Sequence, residues 1–355
     1  MARTRVLVTG GAGFIGSALC RRLAADARYE VLNLDKLTYA ADLASLRAVE
    51  GQANYGLAIA DIADLATVQG IFAQFRPDWV FHLAAETHVD RSIDGPEAFL
   101  QTNVIGTERL LMAALGYWRA LDAAARAGFR FVHVSTDEVY GALGATGAFT
   151  EESAYRPNSP YAASKAASDH LARAWHVTYG LPVVISNCSN NYGPFQFPEK
   201  LIPHIVIRAL NGETLPVYGQ GANIRDWLFV GDHVTALCAV AERGRPGEKY
   251  NIGGHGERRN IDVVRTICAQ LDRLRPSNAG SYADRIEFVS DRPGHDFRYA
   301  IDPGKAEREL GWRQTTEFDA GLAATVAWYL ENEPWWRAKL AGGYRAERLG
   351  TQLNP

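Results

Sequence analysis

Six short apolar runs separated by longer helical patterns constrain this chain more than any other feature: 5–10 (RVLVTG), 31–35 (VLNLD), 55–61 (YGLAIAD), 79–85 (WVFHLAA), 129–135 (FRFVHVS) and 182–187 (PVVISN). Strand, helix, strand in that rhythm requires parallel pairing through right-handed crossovers. The expected fold is therefore α/β, a Rossmann-like doubly wound parallel sheet. Helical stretches at 17–27, 98–128 and 161–180 supply the crossovers. After about residue 187 the pattern becomes irregular and rich in Pro, Asn, Gly and aromatics, and KYNIGG (249–254) then reads as one more strand. We expect a Rossmann domain over 1–187, completed by a return segment at about 226–254. A smaller, mixed α/β C-terminal lobe would comprise 188–225 and 255–355.

Composition narrows the functional classes. A chain of 355 residues buries a large core. A net charge of −3 with scattered arginines offers no basic face for nucleic acid. Cys20, Cys188, Cys238 and Cys268 lie far apart with no C-x-x-C pair, which argues against a zinc site and a disulfide framework. No metal is expected. No run of 18 apolar residues appears, and MARTRVLVTGG leads straight into a strand without a signal-like apolar segment. A soluble, cytoplasmic protein with reduced thiols and no membrane contact is the expectation.

Between the first strand and first helix, Gly10, Gly13 and Gly16 stand in TGGAGFIGS. Glycine there turns tightly, lets backbone N–H groups approach a pyrophosphate and lets helix pack on strand. Alone, such a turn is weak, and a purely structural glycine turn is the competing reading. Asp35 ends the second strand 19 residues after Gly16, where an acid accepts from adenosine ribose hydroxyls and repels a 2′-phosphate. That selects NAD over NADP. Asp61 and Ile62 suit the adenine edge, and the small apolar Leu83, Ala84 and Ala85 leave room for the nicotinamide ribose.

Tyr161 and Lys165 open a helix after NSP at Y-x-x-x-K spacing, which puts both on one face. Lysine is scarce, so 15 tyrosines would give roughly a quarter of one such pair by chance. An ammonium beside a phenol favours the phenolate, so the spacing predicts a Tyr161 with a lowered pKa that serves as a base. An exposed i,i+4 pair is the plain alternative. In VSTDEVYG (134–141) a buried-type strand ends in Thr136, Asp137 and Glu138. Adjacent acids most often cap a helix or solvate a loop. Here they can instead be two proton-transfer groups held in opposite protonation states by their mutual repulsion.

TGGAGFIG, HLAAETHVDRS, VSTDEVYG, SPYAASKAASDH, CSNNYGPFQFPEKLIP, IRDWLFV, YNIGG, DRPGHDFRYAID and LGW, in this order, resemble the dTDP-glucose 4,6-dehydratases of the extended short-chain dehydrogenase/reductase family over nearly the whole chain. Thr136-Asp137-Glu138 is the most discriminating element, since sugar-nucleotide epimerases and decarboxylases of the family share the glycine turn and Tyr/Lys pair but lack adjacent acids. Thr87 stands where the dehydratases more often have Ser, and the hydroxyl is kept.

The resemblance implies a lyase that oxidises a hexose at C4, eliminates water across C5–C6 and returns the hydride to C6, regenerating tightly bound NAD+. Tyr161 would take the O4 proton beside Thr136, Glu138 the C5 proton, and Asp137 would protonate the departing O6. It further implies Phe14, Ile15, Lys36, Leu37, Thr38, Thr102 and Asn191 at the cofactor. Thr87, Asn190, Lys200, Leu201, Arg225, Asn260, Asp291, Arg292 and His295 would hold the nucleotide diphosphate, with Pro216, Val217 and Tyr218 near the base. Arg and Lys suit pyrophosphate oxygens on physical grounds alone. Asn260 and His295 read equally well as satisfied polar residues, and Glu199 as either a sugar contact or a salt-bridge partner. His88, Asp90 and Arg91 form a charged turn; Trp335 and Trp336 read as packing. Thymine ranks first by resemblance, because a methyl contact is worth only ~1–3 kcal/mol. UDP- or CDP-glucose, or an NAD-dependent 4-epimerase, are the alternatives, as is an inactive NAD-binding scaffold. The resemblance also implies a homodimer through a four-helix interface built from 98–128 and 161–180, and a product for deoxysugar biosynthesis, rhamnose included.

Overall fold

The computed structural model describes residues 3–341. Seven parallel strands form the central sheet: β1 (Thr4–Thr9), β2 (Tyr29–Asp35), β3 (Tyr55–Ile59), β4 (Trp79–His82), β5 (Arg130–Thr136), β6 (Val183–Cys188) and the late strand Lys249–Ile252. Their order is Lys249–Ile252, β6, β5, β4, β1, β2, β3. The chain thus leaves β1 in one direction and β4 in the other, which opens a crevice beyond their carboxyl ends.

Because both sheet faces are covered, the strands are apolar throughout rather than alternating. Val6 and Val8 enter a core with Leu19 of α1 (Phe14–Ala24) and Leu237 of helix Val230–Arg243. Leu7 turns the other way, toward Phe72, Leu110 and Ala172 on the opposite helical layer. A separate core gathers Ile205, Val264, Leu271, Leu322 and Trp336 beside a parallel strand pair, Leu215–Tyr218 and Ile286–Val289. Among the described residues no helix is long and apolar enough to cross a membrane.

One expectation needs correction. Residues 98–128 are not one helix: a π-helical segment Leu100–Gly106 precedes Thr107–Ala120, Leu121 is extended, and Ala123–Gly128 starts afresh. Asp122 explains the break, since its side chain accepts from Ala125 N at 2.9 Å and caps the new helix. Helix Pro160–Tyr179 begins as NSP predicts, with Ser159 accepting from Ala162 N at 3.0 Å and Pro160 at the first position.

Candidate active site

A cavity of about 300 Å3 opens at the carboxyl ends of β1, β2, β4 and β5. Its walls are built by backbone that tolerates no larger residue. Gly10 has φ +72°, and a Cβ there would stand 2.7 Å from Ala84 Cα; a Cβ on Gly16 would meet Gly10 O at 2.1 Å. The first helix therefore starts against the turn, with its N–H groups facing the crevice. Asp35 stiffens the same place: Oδ2 accepts from Ala12 N at 2.9 Å and Oδ1 from Leu37 N at 2.8 Å. Each carboxylate oxygen keeps a lone pair for a ribose hydroxyl. These features fit a dinucleotide.

Gly10, Gly13, Phe14, Ile15, Gly16, Asp35, Lys36, Thr38, Ile62, Leu83, Ala84, Ala85, Thr102, Tyr161, Lys165 and Asn191 all line this cavity. Leu37 and Asp61 do not. Leu37 packs on the core behind the sheet, and Asp61 turns to Lys36 Nζ at 3.5 Å, while Lys36 also donates to Thr102 at 3.0 Å.

The acid pair stands on the short 3-10 turn Asp137–Tyr140 that ends β5. Thr136 Oγ1 caps the turn, accepting from Glu138 N and donating to Asp137 Oδ1, both at 3.3 Å. Asp137 is fully buried, and its Oδ2 has no hydrogen-bond partner. Burial, then the charges of Glu138 and Asp226, push its carboxyl well above the usual range, which favours the protonated form. Glu138 is also raised by burial, but Arg292, Arg225 and Lys200 oppose the shift. Neighbours in sequence thus occupy different fields.

The phenol overturns one expectation. Burial, followed by Glu138 and Cys188, pushes Tyr161 well above its ordinary value against a hydrogen bond with Thr136. Lys165 is not among the main influences on it, and its Nζ donates to Val134 O at 2.9 Å. Desolvation of a buried phenolate outweighs a cation aimed elsewhere. Asp169, one turn further on, fastens this helix to β5 by accepting from Ser135 Oγ at 2.9 Å and pairing with His133 Nε2 at 3.0 Å.

Of the residues expected at the nucleotide, Thr87, Thr136, Asn190 and Lys200 share the cavity wall. Lys200 Nζ donates to Thr87 O at 3.1 Å. Others gather beside Glu138 as a second group. Arg292 bonds Asp90 at 2.7 Å, and Tyr218 donates to the same carboxylate at 3.3 Å. His295 pairs with Asp291 at 2.6 Å, and Arg225 stacks over Tyr299 at 4.3 Å while donating to Asp296 O. Asn260 keeps a buried Oδ1 without a partner, Leu201 opens helix Leu201–Leu210, and Pro216 is half-buried. Strand alternation points the Val217 side chain into the core, which leaves its backbone as the part that could face a base.

Glu199, which the sequence leaves open, lines the cavity with a nearly inaccessible side chain. Arg91 Nε lies 3.5 Å from it and His88 Nε2 3.7 Å. Burial holds His88 down at about 2, so Arg91 is the cation of that pair. Gln196 and Cys188 also line the cavity. Both lie in CSNNYGPFQFPEKLIP, which by itself assigns neither a role.

The family model described as GDP-mannose 4,6 dehydratase matches residues 7–325. A probable dTDP-glucose 4,6-dehydratase of Sinorhizobium fredii is 60% identical over 98% of each chain. The dTDP-glucose 4,6-dehydratase of Neisseria meningitidis serogroup B is 56% identical over 98% of this chain and 99% of its own. The solved dTDP-glucose 4,6-dehydratase of Streptomyces venezuelae, with NAD bound, is 46% identical, covers 94% of this chain and 99% of its own, and superposes with a TM-score of 0.85. Identity that high, spread across almost all of each chain, shows that the chain belongs to the dTDP-glucose 4,6-dehydratases.

Proposed function

We propose that the protein is an NAD-dependent hydro-lyase that converts dTDP-glucose to dTDP-4-keto-6-deoxyglucose. The observation that carries this reading is Asp137: a buried carboxyl with an unpartnered Oδ2, whose burial favours the protonated form, beside a Glu138 flanked by cations, in one cavity with Tyr161 and the glycine turn. An epimerase has no step that needs such an acid. Bound NAD+ supplies the two-electron acceptor that takes the C4 hydride and returns it at C6. Gly10, Gly13 and Gly16 would cradle its pyrophosphate and Asp35 its adenosine ribose, with Phe14, Ile15, Lys36, Thr38, Ile62, Leu83, Ala84, Ala85, Thr102 and Asn191 around it.

The chain's own groups handle the protons. Thr136 and Tyr161 hold O4, and Tyr161 would receive its proton as the phenolate, a form that burial disfavours and that the positive charge of a bound nicotinamide would favour, with Lys165 holding the helix face in place. The C4 ketone acidifies C5–H, which Glu138 removes, and Glu138 gives the proton back to C5 when hydride reaches C6. Asp137 donates to O6 as it departs as water. Arg225, Arg292 and Lys200 would neutralise the diphosphate while keeping Glu138 ionised; Asn190, Asn260, Asp291, His295 and Thr87 complete the grip, and Pro216 and Tyr218 face the base. Incubation with dTDP-glucose and NAD+ tests this: the alkali-induced absorbance of a 4-keto sugar is expected, and its absence from folded, NAD-loaded protein would defeat the reading. Running UDP- and CDP-glucose alongside ranks the base.

The same reading includes a homodimer in the cytoplasm. Leu100, Ile105 and Met112 along 97–120 and Val177 and Tyr179 on Pro160–Tyr179 are large apolar residues left exposed, and helices Thr107–Ala120 and Pro160–Tyr179 pack together. All four cysteines are buried free thiols, in keeping with a reducing compartment.

A further inference from the structure

The loop that follows Asp35 forms part of the cavity wall through Thr38, Ala40 and Ala41, and it ends at Asp42. Asp42 is buried and fixed from three directions. Its backbone N donates to Ala12 O of the glycine turn at 2.8 Å. Its carboxylate receives Trp335 Nε1 at 2.7 Å and Lys339 Nζ at 2.7 Å, both from helix Glu333–Ala341 almost 300 residues away. Its Oδ1 also caps the next turn through Ala44 N at 3.2 Å. Trp335 is itself wedged edge-on against Phe195, whose φ of +67° is unusual for an aromatic residue and whose ring carries the Arg21 guanidinium at 4.7 Å. Trp335 thus does more than pack: its N–H is spent on the loop that covers the turn.

We propose that Asp42, Trp335 and Lys339 form a clasp by which the C-terminal helix holds the 36–42 loop shut over a bound dinucleotide and slows its release. A dinucleotide lying between the glycine turn and Asp35 leaves only when this loop lifts. Lifting it separates a carboxylate from an ammonium and from an indole N–H, two charge-assisted hydrogen bonds in a water-poor setting. The device suits a reaction that restores NAD+ in every cycle and has no use for exchange, so it rests on the proposed activity. The clasp makes the cofactor behave as a fixture of the protein while forming no bond to it.

The test uses the full chain loaded with radiolabelled NAD+ and chased with excess unlabelled NAD+, comparing wild type with Trp335→Phe, Lys339→Met and the double variant. Each single variant is expected to release label about tenfold faster and the double variant faster still, since a hydrogen bond to a charged group is worth about one to two decades. Trp335→Phe keeps the ring and its packing, so the fold is preserved. Arg275→Met is the control: Arg275 pairs with Glu333, the first residue of the same helix, at 3.1 Å without touching Asp42, and its loss should leave release unchanged. Unaltered release in Trp335→Phe and Lys339→Met overturns the clasp. Equal acceleration by Arg275→Met also overturns it, assigning the effect to helix docking. A wild type that binds no NAD+ would defeat the cofactor reading and the clasp together, whereas binding with unaltered release defeats the clasp alone.

Discussion

Asp137→Asn separates what the acid does from what it holds up. Burial favours the neutral form of the native carboxyl, so the amide is a nearly isosteric replacement that adds no charge. Asp137 Oδ1 takes one weak hydrogen bond, from Thr136 at 3.3 Å, and Oδ2 takes none. Stability should therefore change by less than about 1 kcal/mol, within the range of a single hydrogen bond. NAD+ binding should be retained. Turnover should fall by about 10²–10⁴, or about 2.7–5.4 kcal/mol at 1.36 per decade, because an amide has no proton to give to the leaving oxygen. Two assays in deuterated buffer make the assignment: 4-keto product formation and deuterium incorporation at C5 of recovered dTDP-glucose. With Asp137→Asn, C5 exchange should continue while product nearly stops, since Glu138 still removes the C5 proton. With Glu138→Gln, both should stop. Product formation within threefold of wild type, or exchange surviving in Glu138→Gln and lost in Asp137→Asn, would refute the division of labour.

Arg292→Met removes the strongest of the cations that oppose the upward shift of Glu138, so the acidic limb of the pH–rate profile should move to higher pH; an unmoved limb would show that Arg292 does not tune the base. It also strips Asp90 of its 2.7 Å partner, and some loss of thermal stability should accompany the shift. Stability itself should depend on pH through buried histidines. Burial lowers His204 to about 4 and His233 to about 3, against an ordinary value of 6.5 that applies once the chain unfolds. Below pH 6.5 the unfolded state binds protons that the folded state refuses, so stability falls as pH drops from 6.5 toward those values and is level with respect to these groups above it. Urea midpoints at pH 7.5 and 5.5 should differ in that sense; a higher midpoint at pH 5.5 in His204→Gln than in wild type would confirm the share of that site, and no difference would remove it.

The features legible without coordinates are those whose cause lies within a few residues. Gly16 is needed because the turn itself brings Gly10 O within 2.1 Å of where a Cβ would sit, and Gly10 because the turn takes a φ of +72° there. Ser159-Pro160 starts the Tyr161 helix by local capping. The continuous apolar strands follow from a sheet covered on both faces. The break at Leu121-Asp122 was readable in principle, since Asp is a good cap, but a run of alanines and arginines on either side masks it.

Tertiary structure decided what each group's field would be. Tyr161 stands beside Lys165 on its helix, yet its phenol is governed by burial and by Glu138, while Lys165 answers to Val134 on another strand. Val217 faces the core because the strand's alternation was set by the lobe it packs into. Glu199 meets His88 and Arg91 from over 100 residues away, and Asp42 meets Trp335 across 293. Backbone geometry is dictated by neighbours along the chain. Ionisation and reach depend on which surfaces burial brings together, and spacing in sequence carries no record of that.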